Sequence, residues 1–390
     1  MESILKYLIT IGSVFVCLSI LYLVIKIIFK GKKNNKKQRK ITLDIKDNTA
    51  YKESKKINIK KIEGENIANY ENGEKYKGEY IKGKRNGYGV CILENKERYE
   101  GLWKDDKMHG IGKYTFKDGR VYSGDFKNGE IEGLGLLIYP NHDKYKGYFK
   151  DNKKNGKGAY YYSNGNKYIG MWVDDSQEGI GKLEKINGEI YEGEFKNNKF
   201  NGAGEYKYTN NSYYKGEFKD NVYHGKGYYI NENRESYEGE FAYGLKKGKG
   251  KCIYANGDTY EGEFKEDLLN GIGKYTYANG YRYEGNFIDG EREGIGTYIN
   301  NRYKYVGEWK ANYKDKIGTY YFKEGKRLEV EIENMIIKNG VYIYDNGEEK
   351  NIEEIDLNKN NEDEVLENIE KYFTKTKDTL LTRKLSNLYN

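Results

Sequence analysis

One unit of sequence recurs along most of the chain. Tyr191 to Gly204 reads YEGEFKNNKFNGAG: a Tyr, any residue, Gly, any residue and an aromatic, then a polar turn, then Gly-x-Gly. The leading Tyr falls at Tyr76, Tyr99, Tyr122, Tyr145, Tyr168, Tyr191, Tyr214, Tyr237, Tyr260, Tyr283 and Tyr305, spaced 23 residues nine times running and then 22. A further 23 residues lands on Leu328, where Leu328 to Ile332 reads as a worn final copy. Gly64 and Asn66 lie one period before Gly87 and Gly89, so a half-repeat from about Gly64 supplies the first strand. A fixed period of this length marks a repeat array. Each unit packs mainly on its neighbours, so the chain needs no central core and its length sets no domain count.

Alternation within the unit predicts β-structure. In the copy that begins at Tyr99, a period of two puts Tyr99, Gly101 and Trp103 on one face. The same rule groups Gly110, Gly112, Tyr114 and Phe116. Lys104 to His109 is a polar turn between the strands, and Asp118-Gly119 is a hairpin signal, repeated as Asn164-Gly165, Asn256-Gly257 and Asn279-Gly280. Each repeat is therefore one antiparallel hairpin, and the chain is a meander of hairpins in one elongated, twisted sheet. Glycines on the aromatic face leave room for rings from adjacent strands. The opposite face carries residues such as Glu100 and Lys113, suited to water and to cross-strand charge pairs. The single Pro in 390 residues suits strands that keep every backbone donor.

The pattern resembles the membrane occupation and recognition nexus (MORN) repeat, whose motif is similar to YEGEF, a spacer and GxGxY. The leading Tyr, the Gly two on and the closing aromatic hold in all eleven copies from Tyr76 to Phe322. The first Gly of Gly-x-Gly fails once, at Lys316. The Tyr305 copy is one residue short, which predicts a local kink or bulge. The resemblance implies a rod- or trough-shaped scaffold acting at membranes, cytoskeletal structures or organelle contacts. It implies binding of phospholipid, dimerisation, or an amphipathic helix held in the aromatic groove. Some relatives carry a lipid kinase or methyltransferase domain, for which this chain has no room.

Net charge is +7, and it is local. Lys30, Lys32, Lys33, Lys36, Lys37, Arg39 and Lys40 form a run without acids, and removing them leaves 61 basic against 61 acidic residues. That balance argues against a nucleic-acid surface spread over the array. Ahead of the run, Tyr7 to Ile25 is uncharged over 19 residues, long enough to span a bilayer as a helix. A cleaved signal peptide fits poorly, because the charge follows the apolar run and no small-x-small site precedes it. Cys17 suggests a lipoprotein acceptor, but Val16 before it is bulky. The flanking charge places the array on the cytoplasmic side. The seven-charge cluster sets this topology and also suits anionic lipid headgroups.

Chemistry is absent from the pattern. His109 and His224 share the slot before Gly-x-Gly five periods apart, on the order of 50 Å at two strands per repeat. His142 lies in a different turn, one period after Gly119. The glycines sit inside strands with no helix after them, unlike a dinucleotide loop. Cys91 and Cys252 are seven periods apart at one repeat position, so they read as small core substitutes and not as a disulfide. We therefore expect no catalytic residue, no metal and no cofactor.

After about Gly347 the composition changes. Asn361, Glu362 and Asp363 precede Val365, Leu366, Ile369, Tyr372 and Phe373 at helical spacing, and Leu380, Leu381, Leu385 and Leu388 continue the apolar series. This helix is expected to dock on an aromatic trough, its own or a second molecule's. The sequence thus divides into an anchor at 1–30, a basic juxtamembrane linker at 31–63, a repeat array at 64–347 and a helical tail at 348–390. The expected fold is an all-β repeat array preceded by one transmembrane helix and followed by a C-terminal helix. The expected function is a membrane-anchored, non-enzymatic scaffold that binds a partner protein or itself, or else tethers membranes through anionic phospholipid. Its partner contacts are Tyr99, Trp103, Tyr168, Trp172, Tyr191, Phe195, Tyr305 and Trp309.

Overall fold

The computed structural model describes residues 67–357 and 362–373. The expected membrane helix, the basic cluster from Lys30 to Lys40 and the apolar series from Leu380 lie outside the described residues. Within them no helix is long and apolar enough to cross a membrane.

The described strands, β1 to β27 in chain order, form one sheet. The first is β1 (Ala68–Asn69), against β2 (Lys75–Ile81), and each strand pairs antiparallel with the next through β25 (Ile336–Ile343). Beyond residue 347, β26 (Glu349–Ile352) and β27 (Ile355–Asp356) share the free edge of β25. The meander is therefore the architecture that the period implies, and the sheet runs past the change in composition. The worn copy is a full hairpin: Leu328, Val330 and Ile332 in β24 (Arg327–Glu333) are buried where other copies place Tyr, Gly and an aromatic.

Two kinds of turn alternate. In the Tyr99 copy, β4 (Arg98–Lys104) and β5 (Lys107–Thr115) are joined by two residues, Asp105 and Asp106, with φ of 48° and 65°. Both φ values are positive, as a type I′ turn requires, and Asp, Asn and Gly tolerate that region best. The equivalent pairs include Asn128-Gly129, Asp151-Asn152 and Asn197-Asn198. The second turn residue also grips the preceding repeat. Asn152 Oδ1 accepts the Ile131 amide at 2.8 Å, and the Asn152 amide donates to the Ile131 carbonyl at 3.1 Å. The Asp-Gly signal marks a longer connection. Phe116 to Arg120 separate β5 from β6 (Val121–Lys127), and only Gly119, at φ 87°, turns left-handed. The tighter turn is thus the polar segment, and the stronger sequence signal marks the looser one.

The two glycines of Gly-x-Gly have different jobs. Gly101 pairs with Gly112 but Trp103 pairs with Met108, so three residues of β5 oppose Leu102 alone. This bulge sits at Gly110, with φ of 62°. A Cβ there would meet Leu102 rather than the Tyr99 ring, so Gly110 leaves the face on which alternation put it. The one copy without this glycine holds Lys316 at φ 50°, keeping the left-handed bend. Gly112 stays on the aromatic face. A Cβ on it would lie 2.4 Å from Tyr99 Cε2, and one on Gly101 would lie 2.4 Å from the Gly112 Cα. The ring over Gly112 comes from the adjacent strand, as expected, and the same ring also covers Gly101 on its own strand. Its hydroxyl then donates to the Leu102 carbonyl at 2.7 Å. The same bond, three residues on, recurs from Tyr76 through Tyr283, whereas the Tyr305 hydroxyl is buried without a partner.

The missing residue of the Tyr305 copy is absorbed in the connection. Only 300–303 separate β21 (Glu291–Ile299) from β22 (Lys304–Lys310), and Tyr298 still faces Tyr305 in register. No register shift falls between β21 and β22, and the shortened loop closes with the Asn300 amide donating to the Tyr303 carbonyl at 3.1 Å.

Candidate functional site

The aromatic face is built in two layers. Its floor is a continuous ladder of edge-on rings. Each leading Tyr from Tyr76 to Tyr283 meets the closing aromatic of its own strand and that of the next repeat: Tyr99 lies 5.1 Å from Trp103 and 5.0 Å from Phe126, with interplanar angles of 88° and 80°. Edge-to-face packing sets the positive ring edge against the negative face. The edge-on ladder runs from Tyr76 to Trp309 without a break, and Tyr320 joins its end tilted at 54° to Tyr305. Burial of these phenols pushes their pKa values up, to about 12 at Tyr260 and Tyr283.

All eight expected contact residues belong to this floor. Tyr99, Tyr168, Tyr191 and Tyr305 are at most 1% exposed, and Trp103, Trp172, Phe195 and Trp309 at most 5%. They shape the face from below. The rings left partly exposed are the second layer, among them Tyr114, Tyr160, Tyr208, Tyr254, Tyr275 and Tyr298. Acids just after the longer turn hold several of these. Asp143 accepts the Tyr160 hydroxyl at 2.8 Å and the Ser163 amide at 2.6 Å, and Asp258 does the same for Tyr275 and Ala278. Burial alone would raise the Asp143 pKa, but these hydrogen bonds hold it below the usual carboxylate range.

A row of residues second in the longer strand also lines the face. Three of them are cations that lie over the three tryptophans: Arg85 over Trp103 at 4.5 Å, Lys154 over Trp172 at 4.4 Å and Arg292 over Trp309 at 4.3 Å. Where the closing aromatic of the following repeat is Phe, this position is usually uncharged, as at Met108, Ile131, Gln177, Phe200, Tyr223 and Leu269. The signal was present in the sequence as a basic residue 17 or 18 positions before every Trp.

The C-terminal end of the face is occupied. The helix at 362–373, α1, buries Val365, Leu366 and Ile369, and stacks Phe373 on Tyr342 at 4.7 Å. Its first turn carries the polar contacts. Glu362 pairs with Lys314 and accepts the Tyr320 hydroxyl at 2.7 Å, Asp363 accepts from Asn300 at 3.1 Å, and Glu367 pairs with Arg302. Burial pulls the Lys314 ammonium below the ordinary lysine range, and the Glu362 charge opposes this. Helical spacing thus located the helix, and of the two docking modes it adopts that on its own array. The apolar anchors leave Tyr372 64% exposed.

Cys91 and Cys252 are buried and unbonded. His109 and His224 each bury an Nδ1 without a partner. Among the described residues no group of three or more His, Cys, Asp or Glu is placed to hold a metal ion.

The family model of the MORN repeat matches eleven times, from residues 76–98 to residues 305–327. No curated protein matches the chain. Similar solved structures include the TCP domain of SAS-4 (dCPAP) from Drosophila melanogaster in complex with a proline-rich motif of Ana2. It is 16% identical over 40% of this chain and 85% of that chain, with a TM-score of 0.26. A mutant TCP10 domain of Danio rerio CPAP is 9% identical over 63% of this chain and 94% of that chain, with a TM-score of 0.14. Neither score supports an argument about function.

Proposed function

This chain belongs to the MORN repeat family, and on that footing we propose that it is a non-enzymatic scaffold whose aromatic trough grips an amphipathic helix. The helix comes from a partner protein or from a second copy of the chain. One observation carries the reading: the chain already seats such a helix on the last hairpins, with Leu366 2% exposed and Phe373 stacked on Tyr342. The same ladder continues upstream with no element over it among the described residues. Helix-in-groove recognition uses anchors at this spacing. The eight ladder residues act by setting the floor, and the half-buried second-layer rings make the contact.

The test is binding of helical peptides to the full chain, with second-layer variants Tyr160→Ala and Tyr275→Ala. Loss of binding with the fold intact supports the reading. Unchanged binding in both variants removes the trough as the site.

The charge run from Lys30 to Arg39 and Lys40 supports a second, separate contact. In this reading residues 1–30 anchor the chain in a membrane, the array lies on the cytoplasmic side, and the seven charges hold anionic phospholipid beside the anchor. Flotation of the full chain with phosphatidylserine vesicles, before and after the seven charges become Gln, tests the lipid contact. Protease accessibility in sealed vesicles tests the orientation.

A further inference from the structure

The stretch of trough just upstream of α1 differs from the rest in its unanswered charge. Lys246 and Arg292 occupy the same register position as Lys314: they face Phe241 and Phe287, as Lys314 faces Trp309. All three lie over rings, Lys246 at 5.4 Å from Tyr237 and Arg292 at 4.3 Å from Trp309. Lys314 has its carboxylate, supplied by α1. Arg85 has Glu74 and Asp106, and Lys154 has Asp175 at 3.9 Å. Lys246 and Arg292 make no side-chain ion pair within 4 Å among the described residues; the Lys246 backbone amide donates to the Asp267 carboxylate at 2.8 Å, and Asn312 takes the matching place beside Arg292. Arg292 donates to the Asn312 carbonyl at 2.7 Å, a neutral acceptor. Beside it lies a cavity of about 470 Å³, bounded by Tyr277, Tyr281, Tyr298, Trp309 and the first turn of α1.

From this charge pattern we infer that the trough between Lys246 and Arg292 receives an acidic amphipathic helix of a partner protein, with one carboxylate on each cation. The inference rests on the trough reading above and names the chemistry of its ligand. Glu362 on Lys314 is the template for each contact. The row reads Lys246, Leu269, Arg292, so the partner presents acid, apolar, acid. The spacing follows from geometry. Two repeats are four strands, or about 19 Å. A helix rises about 1.5 Å per residue, so two positions about fourteen apart span about 21 Å and share a face. The apolar residue falls midway, about seven from each acid, opposite Leu269. Carboxylates suit this site because a charge-assisted hydrogen bond to a half-buried cation is stronger than a neutral one.

The experiment uses the full chain and two helical peptides with the same leucine stripe. One carries Glu about fourteen residues apart with a leucine midway; the other carries Gln at the same two places. The Glu peptide is expected to bind about tenfold tighter or more. Lys246→Gln with Arg292→Gln should abolish the preference, and Arg292→Lys should keep it, which separates lost charge from lost fold. Equal binding of both peptides overturns the acid pairing while leaving the trough reading standing. Binding of neither overturns the trough reading as well. If phosphatidylserine vesicles, and not the peptides, lose affinity in the double variant, the site is a lipid site and the inference fails.

Discussion

The Lys154 ammonium lies 4.4 Å from the centre of the Trp172 ring, with 12% of the lysine side chain exposed. Burial pulls its pKa below the ordinary lysine value, with Asp175 opposing. The ring face therefore supplies much of what water would otherwise give the charge. A double-mutant cycle with Lys154→Met and Trp172→Phe should return a coupling of about 0.5–2 kcal/mol. The matched cycle at Met108 and Phe126 should return much less. Equal couplings in urea unfolding would mean that the cation is incidental.

The two glycines of each Gly-x-Gly should respond differently to alanine. Gly112→Ala drives a Cβ to 2.4 Å from the Tyr99 ring, which is itself pinned by its hydrogen bond to Leu102. A loss of about 2 kcal/mol or more is expected from overpacking. Gly110→Ala meets only the tip of Leu102 at 3.0 Å and carries the left-handed penalty of about 1 kcal/mol. Thermal unfolding of the two variants checks the order.

The ladder should make stability depend on alkali. Burial raises the folded pKa of the ladder tyrosines, to about 12 at Tyr260 and Tyr283. A raised pKa contributes stability that is complete below the unfolded value of about 10 and is lost as pH rises through the folded value. Tyrosinate absorbance should show the exposed phenols ionising first and the ladder only together with unfolding. At the acid end the sign reverses. Asp143 and Asp258 are held low, although burial alone would raise them, by hydrogen bonds from tyrosine hydroxyls and backbone amides. Their contribution is present above an unfolded pKa of about 3.9 and disappears as pH falls through the folded values. A single smooth tyrosinate titration without unfolding would contradict the first of these.

The period, the glycine pattern and the meander were legible because they are local: a fixed spacing and a two-residue alternation decide them. The bulge was not, because it depends on the sign of φ at Gly110 rather than on residue type alone. Nor was the burial of Trp103 or Tyr305. Alternation assigns a side chain to a face but does not say whether neighbouring rings cover it. The pairing of basic residues with tryptophans spans 17 or 18 positions and crosses from one repeat to the next, so a reading within single copies passes over it. The sequence left the docking partner of α1 open, and the structure seats it on its own array through Glu362 and Lys314, residues 48 apart that no local pattern links.

That contact carries its own test. Lys314 is buried, so Glu362→Gln leaves a charge without its partner, at a cost of about 3 kcal/mol. The variant should release α1 and expose Tyr320 and Tyr342 to an apolar dye. Lys314→Met combined with Glu362→Leu should restore docking, because an apolar pair of similar volume replaces the buried ion pair. Release in the single variant without recovery in the double would assign the effect to the hydrogen bond from Tyr320 instead.

The most direct measurement is made in two pieces. The chain is ended after Leu357, and a peptide covering residues 359–376 is returned to it in solution. If the aromatic face is a helix-receiving trough, the shortened chain binds apolar dye, and the peptide binds saturably and displaces the dye. Peptide with Leu366→Ala and Phe373→Ala then fails to do so. A shortened chain that neither takes up dye nor binds the peptide would contradict the account.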